Sequence, residues 1–176
     1  MKHAVSVLAV LVIVFAVMHP LVFTAADAYA QTPHIERIDI VDYGIYTADL
    51  QSAQRDAQGI LQSSSTNVRH VQTTRDVPAQ LGVRFGFRFR VVGAPIGAEV
   101  RLKKITIFPP GGLRNPASGQ VISRLEDTLT TTVGNDARYT AYKFDDPWEL
   151  APGPWTIELW HGDRKLASQS FTIFKP

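Results

Sequence analysis

The feature that most constrains the fold is a two-residue alternation of apolar and polar side chains along residues 83–91. The odd positions carry Val, Phe, Phe, Phe and Val, while the even positions carry Arg, Gly, Arg and Arg. Successive side chains of a β-strand point to opposite faces, so this period indicates a strand with one buried face and one solvated face. The segment therefore predicts a sheet that packs one side against a hydrophobic core.

Short β-prone segments separated by turn residues make up most of the remaining chain. Beyond residues 83–91, strands are predicted at residues 35–46, 67–77, 99–108, 121–133, 139–144, 153–160 and 165–174. Turns at residues 93–97 and 161–164 are expected to join neighbouring strands into two hairpins. Proline and glycine predict an exposed loop at residues 109–119, and residues 49–65 predict a short surface helix or a mobile loop. About seven to eight strands of this kind indicate an all-β fold, a two-sheet antiparallel β-sandwich.

The N-terminal residues 1–30 have the parts of a cleavable secretory signal peptide. A basic start at Lys2 precedes an unbroken apolar run at residues 4–18. A run of this length is typical of the apolar core of a signal peptide. The alternative is an uncleaved membrane anchor, because the apolar region approaches the roughly 20 residues that span a bilayer.

Small residues at Ala28 and Ala30 predict where the signal peptide is cleaved. They occupy the two positions that a signal peptidase must accommodate, which favours cleavage after Ala30, with cleavage after Ala28 as the alternative. We therefore expect one mature domain at residues 31–176, exported to the periplasm or secreted. No stable membrane insertion is expected after cleavage.

Composition excludes several classes of function. The chain contains no cysteine, which excludes disulfides, thiolate metal sites, a cysteine nucleophile and a lipidated N-terminal cysteine. Its formal net charge is +2. So small an excess creates no strong long-range field, and we predict no nucleic-acid partner.

Several short motifs, taken in order, resemble a known family. They are Tyr43-Gly44-Ile45-Tyr46, Val77-Pro78-Ala79, Gly82 with Phe85-Gly86-Phe87, Pro109-Pro110-Gly111, and the hairpin that begins near Trp155. The set resembles the bacterial domain of unknown function numbered 3859, and the closing hairpin resembles the last hairpin of exported immunoglobulin-like domains. The resemblance implies an exported immunoglobulin-like β-sandwich and carries no established activity.

The sequence contains no recognisable catalytic or metal-binding motif. After removal of the signal peptide the histidines are His34, His70 and His161, and no two have the spacing of a metal site. Serine-nucleophile motifs and phosphate-binding glycine loops do not occur in the sequence. The adjacent carboxylates Glu126-Asp127 and Asp145-Asp146 point to opposite faces if they lie on strands, so neither doublet is a natural acid–base pair. We predict no catalytic residue, metal site or cofactor.

Basic residues form the first candidate binding site. The polar face of the strand at residues 83–91 carries Arg84, Arg88 and Arg90. Arg101 and Lys103 are expected beside them on the hairpin partner. Such a patch suits an anionic glycan, a lipid headgroup or an acidic protein, since guanidinium groups match carboxylate and phosphate. The alternative is a solvated face whose arginines pair with Glu99 or Glu126.

Trp160 and His161 form the second candidate binding site. Alternation puts Trp155, Ile157 and Leu159 on one face of their strand and Trp160 on the other. An exposed tryptophan beside a histidine could stack on a sugar or on an aromatic side chain of a partner. The alternative is that Trp160 packs under the loop at residues 109–119.

The sequence is compatible with three functional hypotheses. The first is a non-enzymatic binding module that recognises an unknown envelope protein or glycan. The second is a structural or assembly component that pairs through a strand edge. The third is an exported hydrolase assembled from distant residues, which requires a pocket that joins at least two of the histidines and acids. The oligomeric state stays open.

Overall fold

A computed structural model describes residues 32–134 and 136–176, so the predicted signal peptide lies outside the described residues. The described residues belong to one compact unit. Its elements are β1 (His34–Arg55), β2 (Leu61–Gln72), β3 (Asp76–Pro78), β4 (Arg84–Ala94), β5 (Glu99–Ile107), β6 (Leu113–Arg114), β7 (Val121–Ile122), β8 (Arg124–Thr132), β9 (Arg138–Lys143), a 3-10 helix (Pro147–Glu149), β10 (Gly153–His161) and β11 (Arg164–Phe174). In this part of the chain no helix has the length and apolar character needed to cross a bilayer.

The strands form two main sheets. The four-stranded sheet has the order β2-β1-β4-β9, and the five-stranded sheet has the order β3-β11-β10-β5-β8. All neighbours within them are antiparallel except β3 and β11. The small pair β6–β7 includes two residues of the predicted loop at 109–119. The predicted all-β sandwich is confirmed, with more strands than expected.

The core lies between the inner faces of the two sheets. Phe85, Phe87 and Phe89 of β4 are each 0% exposed, which confirms the faces predicted from the alternation. Trp155 of β10 is also fully buried, and its ring centroid lies 5.7 Å from that of Phe85. Each such side chain contributes about 1.5–3 kcal/mol by leaving water. The predicted hairpin of β10 and β11 is also present, with Trp155 opposite Phe171.

The hairpin predicted for β4 and β5 is wrong. β4 pairs with β1 and β9 in one sheet, whereas β5 pairs with β10 and β8 in the other. Both edges of β4 are therefore occupied, and the turn at residues 95–98 carries the chain across the sandwich. The alternation specifies which face of a strand is buried, but it does not specify which strand lies beside it.

The helix or loop predicted at residues 49–65 is also wrong. β1 and β2 continue as an antiparallel pair through Asp49 opposite Thr66 and Arg55 opposite Leu61. We call residues 47–66 the hairpin arm, because β1 pairs with β4 only as far as Tyr46. The predicted strand at residues 67–77 is divided between β2 and β3.

The tip of the hairpin arm is attached to the body of the domain. Ile60 is 3% exposed and belongs to the hydrophobic core. The side-chain amide of Asn115 donates a hydrogen bond of 2.7 Å to the Gln58 carbonyl. These contacts make the arm a cover over one side of the domain, and they position the site described next.

Candidate functional site

A cavity of about 390 Å³ lies between the hairpin arm and the edges of both sheets. We call it the roofed cavity. It is lined by Ile60, Leu61, Gln62, Ser63, Ser64, Ser65 and Val68 of the arm side, by Arg84 of β4, Lys104 of β5, residues 125 and 127–129 of β8, and residues 139–143 of β9. Its volume falls within the range of about 300–1,000 Å³ that is usual for small-molecule sites.

A charged pair from the five-stranded sheet faces the roofed cavity. Lys104 and Asp127 lie opposite each other in the register of β5 and β8, with Lys104 Nζ 3.3 Å from Asp127 Oδ2. Lys104 shares the inner face of β5 with Leu102, which is 1% exposed, and its ammonium group donates to the Ala141 carbonyl of β9. The pair therefore connects the two sheets. Asp127 Oδ2 accepts no well-aligned hydrogen bond from the described residues.

Arg84 is the most deeply buried charge on the cavity wall. It is 7% exposed, and its guanidinium donates a hydrogen bond to the Ser65 hydroxyl of the hairpin arm. Within residues 32–134 and 136–176, no carboxylate forms an ion pair with Arg84. A buried charge without an opposite charge costs several kcal/mol, which makes this arginine unusual.

Tyr139 adds a second polar group to the cavity wall. Its hydroxyl is buried and makes no well-aligned hydrogen bond among the described residues, although the Arg84 side chain lies close enough to interact with it. Burial raises the pKa of Tyr139, and the positive charge of Arg84 acts in the opposite direction. The hydroxyl is thus neutral at physiological pH and is available to donate or accept a hydrogen bond.

Arg88, by contrast, is engaged within the domain. Its guanidinium donates to Asp42 of β1, with Nε 2.8 Å from Oδ2, and the Tyr46 hydroxyl donates to the same carboxylate. Burial opposes ionisation of Asp42, but the hydrogen bonds from Arg88 and Tyr46 hold its pKa below the ordinary value. The predicted partners Glu99 and Glu126 do not take this role. Arg88 is therefore a structural residue of the four-stranded sheet.

The prediction that the basic residues form one continuous patch is wrong. Arg84, Arg88 and Arg90 belong to the four-stranded sheet, where Arg90 is half-buried opposite Asp39. Arg101 and Lys103 belong to the five-stranded sheet, because β4 and β5 are not paired. Of the predicted basic residues, Arg84 is the one that lines the roofed cavity.

Trp160 lies on the outer face of the five-stranded sheet and is half-buried. The ammonium groups of Lys103 and Lys165 lie over its ring, 5.8 and 5.6 Å from the centroid. Its indole N–H donates to Glu158 at 2.8 Å. Trp160 therefore packs among neighbouring strands and not under the loop at residues 109–119, and His161 follows it at the end of β10, opposite Arg164.

A second depression lies at the start of β10, at the end of the strand away from Trp160 and His161. It is lined by residues 107–112, Val121, Ser123, Arg124, Pro154 and Thr156. Neither this depression nor the roofed cavity includes His34, His70 or His161. Among the described residues, no group of three histidine and acidic side chains is placed to hold a metal ion.

Lys104, Asp127 and Tyr139 were not predicted as site residues. A signal for the first two was present, because Lys104 and Asp127 interrupt the apolar side of alternating segments that contain Leu102, Leu125 and Leu129. Tyr139 carried no comparable signal. Its position on the cavity wall depends on the hairpin arm, which the sequence pattern did not reveal.

Two packed sheets, antiparallel except for the β3–β11 pair, form an immunoglobulin-like β-sandwich domain. The chain belongs to the family described as a domain of unknown function (DUF3859), whose model matches residues 35–173. This match confirms the resemblance inferred from the short motifs.

A solved structure supports the same assignment. The crystal structure of an immunoglobulin-like protein (PA1606) from Pseudomonas aeruginosa is similar to this chain, with 27% sequence identity and a TM-score of 0.55. The similarity covers 81% of this chain and 97% of that chain. No curated protein matches the chain at a significant level.

Proposed function

We propose that the protein is an exported, non-enzymatic binding module that holds a small molecule in the roofed cavity. The observation that carries the proposal is the buried Arg84 guanidinium, which lines a cavity of small-molecule size and has no carboxylate partner in the described part of the chain. Buried charges are usually paired with an opposite charge or fully hydrogen-bonded, so a polar ligand would supply the partner that Arg84 lacks.

The chemistry of the cavity wall favours binding over hydrolysis. Asp127 is the one carboxylate among the lining residues, and no histidine lines the cavity. Hydrolysis by two carboxylates needs a second carboxylate, and hydrolysis by a histidine and a partner needs a histidine, so the lining supplies neither of these two arrangements. Export is the part of the proposal that rests on the sequence of residues 1–30.

The proposal is tested by ligand-observed NMR of the purified protein with the low-molecular-mass fraction of an envelope extract. Saturation transfer to one or more small molecules is expected with the wild-type protein. Ser63→Trp should abolish it, because Ser63 is an exposed residue of the arm that lines the cavity, so a large side chain there blocks the cavity without entering the core.

Thr66→Trp is the matched control. Thr66 is an exposed residue of the same strand that does not line the cavity, so this variant should retain the saturation transfer. The absence of transfer with wild type, or its survival in Ser63→Trp, would overturn the assignment of the cavity as the binding site.

A further inference from the structure

The geometry points to a small organic carboxylate as the ligand class of the roofed cavity, with Arg84 as the residue that binds the carboxylate. This inference rests on the proposed function and adds the charge and the chemical type of the ligand. It follows from three observations: the balance of charges on the wall, the groups around Arg84, and the apolar remainder of the lining.

The charges that line the cavity leave one positive charge unmatched. Lys104 is paired with Asp127, and Lys143 is paired with Asp145. Arg84, the remaining charged residue of the lining, has no carboxylate partner in the described part of the chain. A ligand with a single negative charge balances the site, which favours a carboxylate over a doubly charged phosphate ester.

The groups around Arg84 suit the two oxygens of a carboxylate. A guanidinium presents its donors in a planar fork that matches a carboxylate in two parallel hydrogen bonds. One of its nitrogens already donates to Ser65, which holds the side chain in place and leaves other N–H groups for a ligand. Tyr139, beside Arg84, adds a second polar side chain to the cavity lining.

The remainder of the lining requires an organic body on the anion. Ile60, Leu61 and Val68 contribute apolar surface from the arm side, and Leu125 and Leu129 contribute it from β8. A bare inorganic anion would leave this surface in contact with water. A carboxylate attached to a compact apolar group contacts both parts of the wall.

The inference is tested with three probes of similar shape: benzoate, its uncharged analogue benzamide, and phenyl phosphate. Binding is followed in the purified full-length protein by backbone amide chemical shifts of residues 60–65 and 139–143. We expect benzoate to bind at least about tenfold more tightly than benzamide, and more tightly than phenyl phosphate. A tenfold difference is about 1.4 kcal/mol, which is close to the lower end of the contribution of a hydrogen bond to a charged group, about 1.5–3 kcal/mol.

Variants assign the effect to Arg84. Arg84→Gln should reduce the affinity for benzoate to that for benzamide, whereas Arg84→Lys should retain part of the preference. Arg101→Gln removes an equal charge from the exposed face of the other sheet and should leave the preference unchanged. If Arg84→Gln does not fold, the comparison of the three probes with wild type still decides the ligand class.

The outcomes separate the ligand class from the proposed function. Equal affinity for benzoate and benzamide, or stronger binding of phenyl phosphate, overturns the carboxylate inference. If extract molecules still bind wild type and fail to bind Ser63→Trp, the binding function stands with another ligand class. If neither the extract nor the probes bind, both proposals fail.

Discussion

Arg55, near the tip of the hairpin arm, forms an ion pair with Asp146 at a distance of 2.6 Å, although the two residues are 91 positions apart in the chain. The same guanidinium donates to the Gly59 carbonyl at 2.7 Å. Asp146 immediately precedes the 3-10 helix. The pair thus ties the end of the arm to the segment that follows β9, and it holds the cover of the roofed cavity in place.

Replacing Arg55 should loosen the arm without unfolding the domain. Because Arg55 is about half exposed and solvent screens its ion pair, Arg55→Ala is expected to change the global stability little. Hydrogen exchange of the amides at residues 50–66 should accelerate several-fold, while exchange in β4 and β10 stays unchanged. Arg69→Ala, at an exposed position of β2, is the control. Equal protection of the arm in both variants would contradict this role.

Glu149 should make stability depend on pH. It is 0% exposed, and burial raises its pKa to about 7 despite the backbone N–H groups of Asp145 and Asp146 that bind its carboxylate. Between its ordinary pKa of 4.5 and about 7, the folded state binds more protons than the unfolded state. The contribution of Glu149 to the free energy of unfolding is therefore fully present below pH 4.5 and is lost as the pH rises through 7. The total loss is on the order of 3 kcal/mol.

The measurement is the free energy of unfolding in urea between pH 4.5 and 8. Glu149→Gln imitates the protonated carboxyl, so the difference between the variant and wild type should grow with pH in favour of the variant. Glu36→Gln, on the exposed part of β1, should show no such trend. A constant difference across this pH range would refute the assignment to Glu149.

Gly44 should not tolerate a side chain. Its φ is +137°, and a Cβ built there would lie 1.9 Å from the Gln72 carbonyl oxygen. Gly44→Ala is expected to destabilise the domain by about 1–3 kcal/mol from the backbone conformation alone. Gly97→Ala is a useful comparison, because its φ is +83° and no atom lies within 4 Å of the added Cβ. In thermal unfolding, the melting temperature of Gly44→Ala should lie well below that of Gly97→Ala.

Export should yield a protein that begins at Gln31. We expect the full chain, expressed in a bacterial host with a secretion pathway, to lose residues 1–30 and to appear outside the cytoplasm. Intact mass spectrometry of the protein in each cell fraction measures both the removal of residues 1–30 and the location of the product. Ala30→Tyr, which places a large side chain at the cleavage position, should leave the precursor uncleaved. Retention of residues 1–30 by the wild-type protein would instead support the membrane-anchor alternative.

The buried face of a strand could be predicted from the sequence, because the alternation of apolar and polar residues within the strand itself determines it. The alternation through Phe85, Phe87 and Phe89 specifies a buried face whichever strands lie alongside. Strand pairing is a long-range property, and the turn after β4 has the same composition whether it closes a hairpin or crosses between sheets. The hairpin arm was missed for a different reason. Its residues are mostly exposed on both faces, so it lacks the alternation that reveals a half-buried strand.

The candidate site could be predicted only in part. The alternation predicts Arg84 on the polar face of β4, but the Ser65 hydroxyl that accepts its hydrogen bond lies in residues 49–65, where the sequence predicts a helix or loop. Trp160 was correctly placed on the face opposite Trp155, yet the lysines that flank it come from β5 and β11. Both cases show side chains whose surroundings are supplied by residues distant in sequence.

The inward position of Lys104 and Asp127 also affects how the five-stranded sheet ends. β8 is an edge strand, and its unpaired backbone groups are a template on which another strand could add. Inward-pointing charges beside a sheet edge are one of the devices that discourage another strand from adding there. We therefore expect the Lys104–Asp127 pair to disfavour growth of the sheet at β8, and with it aggregation of one copy of the protein onto the next.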